Sequence, residues 1–446
     1  MAEKYDYDVL YIGAGHGTFD GAMPLAQKGF KIAVVEADKI GGTCPNWGCN
    51  AKIALDTPVK IYEQQKQMSN ILEGNLKINW KNNVENKRKT IKSLPDMIEN
   101  GMQSMGIDVI KGWGKLIDKH TINVNDNQIT AQNIVIATGL RPNKLDIPGT
   151  ELAHDSKDFM NLDEMPENIS IVGSGYIAME FATIANASGA NVTIFMHSDR
   201  ILRQFYQPYT EIIMKSLEDK GVKFVKSANV NKFSKENDKL FVEYGNSQKQ
   251  ATDWILDAAG RIPNVENIGL ENVGVEFDKK GIKVDEYLRT SVNNIYASGD
   301  VADSGQPKLT PTAIFQSTYL MKLFAKETDA PIKYPNIPSV GFTTPRIAQV
   351  GVSIDDAKAK PEEYTVKEND LTKTDWYRIM TNDTIAQNAY VYDKSNQLVG
   401  FTEISNEADN AVDSLLPVIE LKLSAEQTGK IVQLFPSISS DTWGNM

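Results

Sequence analysis

The feature that most constrains this chain is a unit that occurs twice: an apolar strand, a glycine turn, a helix and a second apolar strand. In the first copy, strand 7–12 runs into Gly13-Ala14-Gly15-His16-Gly17, a helix follows to about Gly29, and Lys31 to Val35 forms a strand ending at Glu36. In the second, Ile169 to Val172 leads into Gly173-Ser174-Gly175-Tyr176-Ile177-Ala178-Met179-Glu180, then to a strand from Asn191 to Met196. Glycines let the backbone turn sharply and approach a pyrophosphate at a helix N-terminus, so each copy predicts a dinucleotide-binding βαβ unit. One such pattern is weak evidence, whereas two in one chain rarely coincide by chance.

The copies differ where they meet ribose. Glu36 stands about 20 residues beyond the first glycines, the spacing of a carboxylate that bonds a ribose hydroxyl. In the second copy Met196 and His197 occupy that place. Nearby Arg200 and Arg203 either receive a 2′-phosphate, as NADP requires, or merely solvate a surface loop. The third fingerprint glycine of the first copy is replaced by Thr18, and Gly21 and Pro24 make its helix unusual. Strand Ile134 to Ala137 with Thr138-Gly139 closes the first unit. Ile255 to Ala259 with Gly260-Arg261 closes the second, and Ile295 to Gly299 forms a return strand ending at Asp300.

Between the units lies the segment Gly41-Gly42-Thr43-Cys44-Pro45-Asn46-Trp47-Gly48-Cys49-Asn50-Ala51-Lys52, which holds both cysteines of the chain. In a straight helix, Cα atoms five residues apart are roughly 8–9 Å from each other, beyond the ~7 Å reach of a disulfide. Pro45 and Gly48 are expected to bend the segment, with Cys49 opening a helix through Ile53-Ala54-Leu55. A thiol at a helix start is thiolate-prone. A redox disulfide beside a nucleotide would take electrons from it; buried structural thiols or half a metal site are the alternatives. The scattered His16, His120, His154 and His197 supply no second ligand cluster, so no metal is expected.

With 446 residues, roughly three domains are expected. A net charge of -11 argues against nucleic acid or an anionic membrane as partner. The charged start lacks a signal-peptide pattern and no apolar run approaches ~18 residues, so a cytoplasmic protein without membrane spans is expected. From about Asp329 the texture becomes α+β, with helical stretches near 408–422 and 425–434. Lys66–Asn100 reads as a solvated helix.

The ordered motifs resemble the flavoprotein disulfide reductases, the family of dihydrolipoamide dehydrogenase, glutathione reductase and mercuric reductase. The resemblance implies an α/β chain with FAD-binding residues 1–147 and 263–328, an NAD(P)-binding domain 148–262 and a C-terminal α+β dimerisation domain 329–446. It implies bound FAD and NADPH in preference to NADH, a homodimer, and a small-molecule electron acceptor. Cys49 would be the charge-transfer thiol facing the flavin and Cys44 the interchange thiol that meets substrate. Gly13, Gly15, Glu36, Gly42, Thr43, Gly114, Lys115, Thr138, Gly139, Asp300, Leu309 and Thr310 would hold FAD. Gly173, Gly175, Tyr176, Ile177, His197, Arg200, Arg203, Gly260 and Arg261 would serve the nicotinamide nucleotide, with Tyr176 as its gate. Lys52 and Glu180 resemble the ion pair near the flavin, although Lys52 follows Cys49 by three residues where many relatives place it at four.

One departure matters most. The family's C-terminal His-Pro-Thr-x-x-Glu, donated across the dimer as acid–base catalyst, is matched by Phe435-Pro436-Ser437-Ile438-Ser439-Ser440. Phe435 and Ser440 replace the histidine and glutamate, unless Asp441 takes the latter's place. A phenyl ring moves no proton, and such catalysis is worth roughly 10²–10⁴-fold. Acceptors that need no proton delivered to a leaving thiolate are therefore favoured: a metal ion, a quinone, an electrophilic oxidant, or a disulfide of acidic thiols. The other readings are a glutathione- or lipoamide-type reductase with an unusual base, and a redox-sensing flavoprotein of little turnover.

Overall fold

The computed structural model describes residues 5–446. They form two compact units: one holds the residues up to Ala54, Glu85–Asn143 and Arg261–Tyr334, the other Leu55–Val84, Lys144–Gly260 and Pro335–Met446.

The first unit is built on a parallel sheet in the order 108–111, 32–36, 7–12, 127–136, with Ile295–Ala297 also parallel to 127–136. Leu10 lies opposite Ala33 and Ile134. Asn127–Ile136 changes partner along its length, pairing antiparallel with Thr121–Val124 before joining the parallel strands. Alternate residues fill two cores. Leu10, Ile12, Val35 and Ile134 face one side; Val9, Tyr11, Val34 and Val135 face the other. Burial on both faces explains why these strands read as unbroken apolar runs.

The second unit contains a parallel sheet in the order 223–225, 191–195, 168–172, 254–257, and an antiparallel one of 230–236, 239–244 and 248–252. Its C-terminal part is a five-stranded antiparallel sheet covered by helices Ala408–Glu420 and Ile438–Gly444.

Three expectations need correction. The helix expected over 425–434 is only Ala425–Thr428, because Gly429 follows its single capped turn. The stretch 66–100 is not one solvated helix: Trp80–Ile91 and Leu94–Ser104 are separate helices, with 68–79 outside them. The first of these buries Trp80, Asn83, Val84 and Lys87; its apolar content was too sparse to show a packed face. Arg261 belongs to the first unit rather than closing the second. Strand Arg261–Pro263 pairs with Leu140–Pro142, and Arg261 Nη2 donates to the Leu140 carbonyl at 2.7 Å.

The C-terminal core holds a wholly buried carboxyl, Glu403. It accepts from the Tyr377 hydroxyl, from Ser405 Oγ at 2.7 Å and from Asn388 Nδ2 at 3.5 Å. Burial pushes its pKa up to about 7, and pushes that of neighbouring Asp383 up to about 6. The folded chain thus keeps protons that the unfolded chain has released. That stability is present below the ordinary carboxylate pKa and is lost as pH rises through about 7. Thermal unfolding of the unmodified protein should therefore fall between pH 5 and pH 7.5. Glu403→Gln should flatten that fall by about 2 °C or more. Parallel melting curves for the two proteins would refute the assignment.

Candidate active site

Both glycine turns divide the same way between fold and ligand. Gly13 has φ +104°, and a Cβ there would lie 2.4 Å from the Ala137 carbonyl oxygen. Gly173 has φ +138°, and its Cβ would lie 2.3 Å from the Ala258 oxygen. Packing alone demands glycine at these two positions. At Gly15 a Cβ would meet nothing nearer than 3.9 Å, and at Gly175 nothing within 4 Å. No protein atom explains those second glycines; a ligand lying against the backbone does.

Thr18 replaces the third glycine without loosening the first turn. It is fully buried, and its hydroxyl donates to the Gly13 carbonyl at 2.7 Å. Close helix packing passes to Gly21, where a Cβ would lie 2.1 Å from the Ser317 oxygen of helix Thr310–Phe324. Glu36 closes the turn, accepting the Ala14 and Asp38 N–H groups at 2.8 Å each. Thr138 and Asn264 bond reciprocally, each donating at 2.7 Å to the other's carbonyl. Gly139 φ is +66°. Gly114 packs on Val35, Ile12 and Ile122, whereas Lys115 is exposed. Burial raises the Asp300 pKa, against the charges of Lys308 and Arg261. Leu309 precedes the helix begun by Thr310. Ser298 and Thr312 hydroxyls are buried with no partner. Room at Gly15, a seated carboxylate at Glu36 and two unsatisfied hydroxyls in the same unit fit FAD.

The thiols lie against this turn. Gly42, at φ +65°, would bring a Cβ to 3.0 Å from Gly15 Cα. The short helix Thr43–Trp47 stops at Gly48, whose φ/ψ of −129°/−125° starts a new helix at Cys49. A Cβ at Gly48 would press on Cys44 Cα at 3.0 Å. Gly48 alone therefore supplies the bend, since Pro45 sits in the first turn, where its missing N–H is harmless. Both thiols are free, and the Cys44 S–H donates to Asn50 Oδ1 at 3.7 Å. The adjoining Cys44 thiol chiefly, then Thr310 and the Lys52 charge, outweighs burial and brings Cys49 down to about 6. The neighbouring Cys49 sulfur, with burial, pushes Cys44 up. Lys52 is buried on the first turn of the Cys49 helix. Thr310 Oγ1 stands 3.5 Å from Cys49 Sγ, a contact that sequence spacing could not reveal across 261 residues.

In the other unit, Tyr176 opens helix Tyr176–Ala187, half-buried and edge-on to Phe205. Ile177 follows it, and Glu180, buried one turn on, accepts the Phe342 N–H at 2.9 Å. Gly260 has φ +140°. Beyond strand Asn191–Phe195, His197, Arg200 and Arg203 are exposed. Arg203 Nη2 is steadied by Ser198 Oγ at 2.7 Å. Asp199, unremarked in the sequence reading, is an exposed carboxylate in the same loop.

The terminal segment has no histidine, and Ser437, Ser440 and Asp441 are engaged in hydrogen bonds of their own. Ser437 and Ser440 form the capping box of helix Ile438–Gly444. Asp441 accepts Thr374 Oγ1 at 2.6 Å and the Trp376 N–H at 2.9 Å. Phe435 is 68% exposed, beside exposed Val432 and Leu434.

Residues 7–317 match the family described as pyridine nucleotide-disulphide oxidoreductase, and residues 337–445 match its dimerisation domain. The chain belongs to this family. It is 30% identical to dihydrolipoyl dehydrogenase of Staphylococcus aureus over 98% of this chain and 95% of that protein. It is 33% identical to the chloroplastic/mitochondrial glutathione reductase of Pisum sativum over 80% of this chain and 67% of that one. The HOCl-induced flavoprotein disulfide reductase RclA from Escherichia coli superposes with TM-score 0.88 at 25% identity, covering 98% of both chains. The protein is therefore an α/β oxidoreductase of an FAD- and pyridine nucleotide-dependent family, and its dimerisation domain supports a homodimer. Among the described residues no helix is long and apolar enough to cross a membrane, and no cluster of His, Cys, Asp and Glu is suited to a metal.

The two glycine classes predict opposite defects. Gly15→Ala should leave the melting temperature of flavin-stripped protein unchanged while abolishing FAD retention on gel filtration. Gly13→Ala should destabilise the stripped protein itself, by about 1–3 kcal/mol for strain alone. Equal loss of stability in both variants would disprove the division.

Proposed function

We propose that this protein is an NADPH-dependent, FAD-containing reductase whose Cys44–Cys49 pair hands electrons to a small acceptor requiring no proton from a protein base. The carrying observation is the terminal segment: Phe435 stands where the family's histidine would, and Ser437, Ser440 and Asp441 are already engaged. A metal ion, a quinone, an electrophilic oxidant or a disulfide of acidic thiols satisfies this condition. We assign residues 1–147 and 261–328 to FAD, 148–260 to the nicotinamide nucleotide and 329–446 to dimerisation, in a cytoplasmic protein; 261 and 262 go with FAD because strand Arg261–Pro263 pairs with Leu140–Pro142.

When bound, FAD supplies the two-electron relay between nicotinamide and sulfur. The Cys44–Cys49 disulfide takes up two electrons and one proton; the S–S bond breaks, leaving Cys44 as thiol and Cys49 as thiolate. Lys52 holds that thiolate by charge, and Glu36 is assigned to the FAD ribose. Tyr176 covers the nicotinamide position until the nucleotide docks. Lys52 and Glu180 are the buried charges assigned to hydride transfer. Cys44 is the nucleophile toward the acceptor, and its own S–H is the nearest available proton.

A second reading, a glutathione- or lipoamide-type reductase, is favoured by the named relatives and needs a base other than histidine. Two measurements on one preparation separate the readings. NADPH should generate two new titratable thiols within milliseconds to seconds, whereas steady-state turnover of glutathione disulfide or lipoamide should be slower by roughly 10²-fold or more. Efficient turnover of either disulfide would establish the second reading, and absence of new thiols would overturn both.

The coenzyme preference rests on Arg203, oriented by Ser198 in a loop without a ribose-binding acid at the strand end. A charge-assisted contact to a 2′-phosphate is worth ~1.5–3 kcal/mol, so Arg203→Ala should lower kcat/KM for NADPH roughly ten- to hundredfold. The value for NADH should stay the same. Equal efficiency with both coenzymes in the unmodified protein would assign the two arginines to surface solvation.

A further inference from the structure

The thiol centre contains a third polar group that neither the family match nor the sequence reading connects with sulfur. Thr310 Oγ1 lies 3.5 Å from Cys49 Sγ and acts on Cys44 as well. Its setting decides what that hydroxyl can do. Threonines within helices commonly spend the hydroxyl on the carbonyl three or four residues back. Thr310 is the first residue of helix Thr310–Phe324, and the chain before it is not helical, so no such carbonyl is in line. Leu309, the preceding residue, offers no side-chain cap. The hydroxyl is thus available to sulfur, and a thiolate can only accept.

We propose that Thr310 is a positioning residue of the thiol centre, its hydroxyl donating to the Cys49 thiolate and holding that sulfur in place. The Thr310 hydroxyl reaches Cys49 from helix Thr310–Phe324, an element separate from both cysteine helices. The titratable groups acting on Cys49 are Cys44, from helix Thr43–Trp47, and Lys52, from its own helix. The threonine supplies what neither gives: a donor that survives when Cys44 leaves to attack the acceptor. During that step the Lys52 charge and Thr310 remain to hold the second sulfur until it closes the new disulfide.

The proposal rests on the reading of Cys44 and Cys49 as a redox pair, and its test does not require turnover. In a Cys44→Ser background Cys49 is the only thiol, so iodoacetamide reads its thiolate without interference from a second sulfur. The rate of alkylation against pH, followed by mass, gives the midpoint of thiolate formation with or without flavin. Adding Thr310→Val, which keeps the branched shape and removes the hydroxyl, should raise that midpoint by about one pH unit, a roughly tenfold loss of thiolate below it. Thr310→Ala, which cannot overpack, should give the same rise. Thr310→Ser should restore the original midpoint. Coincident midpoints for hydroxyl-bearing and hydroxyl-free variants would overturn the proposal, as would a Thr310→Ser shift equal to that of valine, which would mark a packing effect. Failure of the redox reading shows separately, as absence of new thiols when the unmodified protein meets NADPH.

Discussion

A chain can lie against an anionic ligand only where it has no Cβ in the way and no neighbouring backbone already filling the space. At both turns the first glycine is fixed by the strand behind it, Gly13 against Ala137 and Gly173 against Ala258, and the second glycine is left with room, Gly175 facing open space and Gly15 meeting nothing nearer than 3.9 Å. The first contact locks the turn to the sheet, so the second is held rigidly rather than by a mobile loop. The thiol segment packs closely on the first turn, since a Cβ at Gly42 would lie 3.0 Å from Gly15 Cα. The Gly41 N–H donates to the Ala14 carbonyl at 2.9 Å, so a backbone hydrogen bond joins the dinucleotide turn to the thiol segment.

From that contact the electrostatics of the sulfurs follow. Gly48 breaks the chain between two helices, so the five-residue spacing, too wide in a straight helix, closes until each thiol shifts the other's pKa. The pair is asymmetric because Cys49 alone begins a long helix and has Lys52 one turn on. Each of these features favours charge on Cys49 and a proton on Cys44. A proton kept on Cys44 would ordinarily make a poor nucleophile; it becomes an advantage only if that same proton is the one the acceptor chemistry uses.

Much of this was legible in the sequence because it depends on local spacing. Glycine turns, the acid at Glu36 and the cysteine pair each lie within a few residues of the elements that give them meaning. What could not be read is long-range. Thr310 meets Cys49 only through the packing of a helix that begins 261 residues later. Arg261 was placed by its neighbours in sequence, yet the strand it starts pairs with Leu140–Pro142. Glu403 looks like a surface acid in an alternating strand, and its burial depends on Tyr377 and Ser405 arriving with matching donors. Lys87 escaped notice because a single long amine can bury its stem in a polar-looking helix. The third-glycine substitution looked like a defect. Only the Thr18 bond to the Gly13 carbonyl reveals it as a clasp.

The terminal segment carries the same logic to substrate. A histidine–glutamate pair serves catalysis when its polar atoms are free to face a sulfur. Here the corresponding atoms have structural work: Ser437 and Ser440 cap the last helix, and Asp441 ties that helix to Thr374 and Trp376. The segment before them is apolar and exposed, with Val432, Leu434 and Phe435 in sequence. A protein that caps its final helix this way anchors the terminus firmly and forgoes a proton shuttle there. On the proposed reading, proton management must then be completed within the thiol centre, where Cys44 supplies one proton and Thr310 and Lys52 steady the charge left behind. Such a centre suits an acceptor that takes electrons readily and asks for at most that one proton. It disfavours an acceptor whose leaving thiolate must be protonated before it departs.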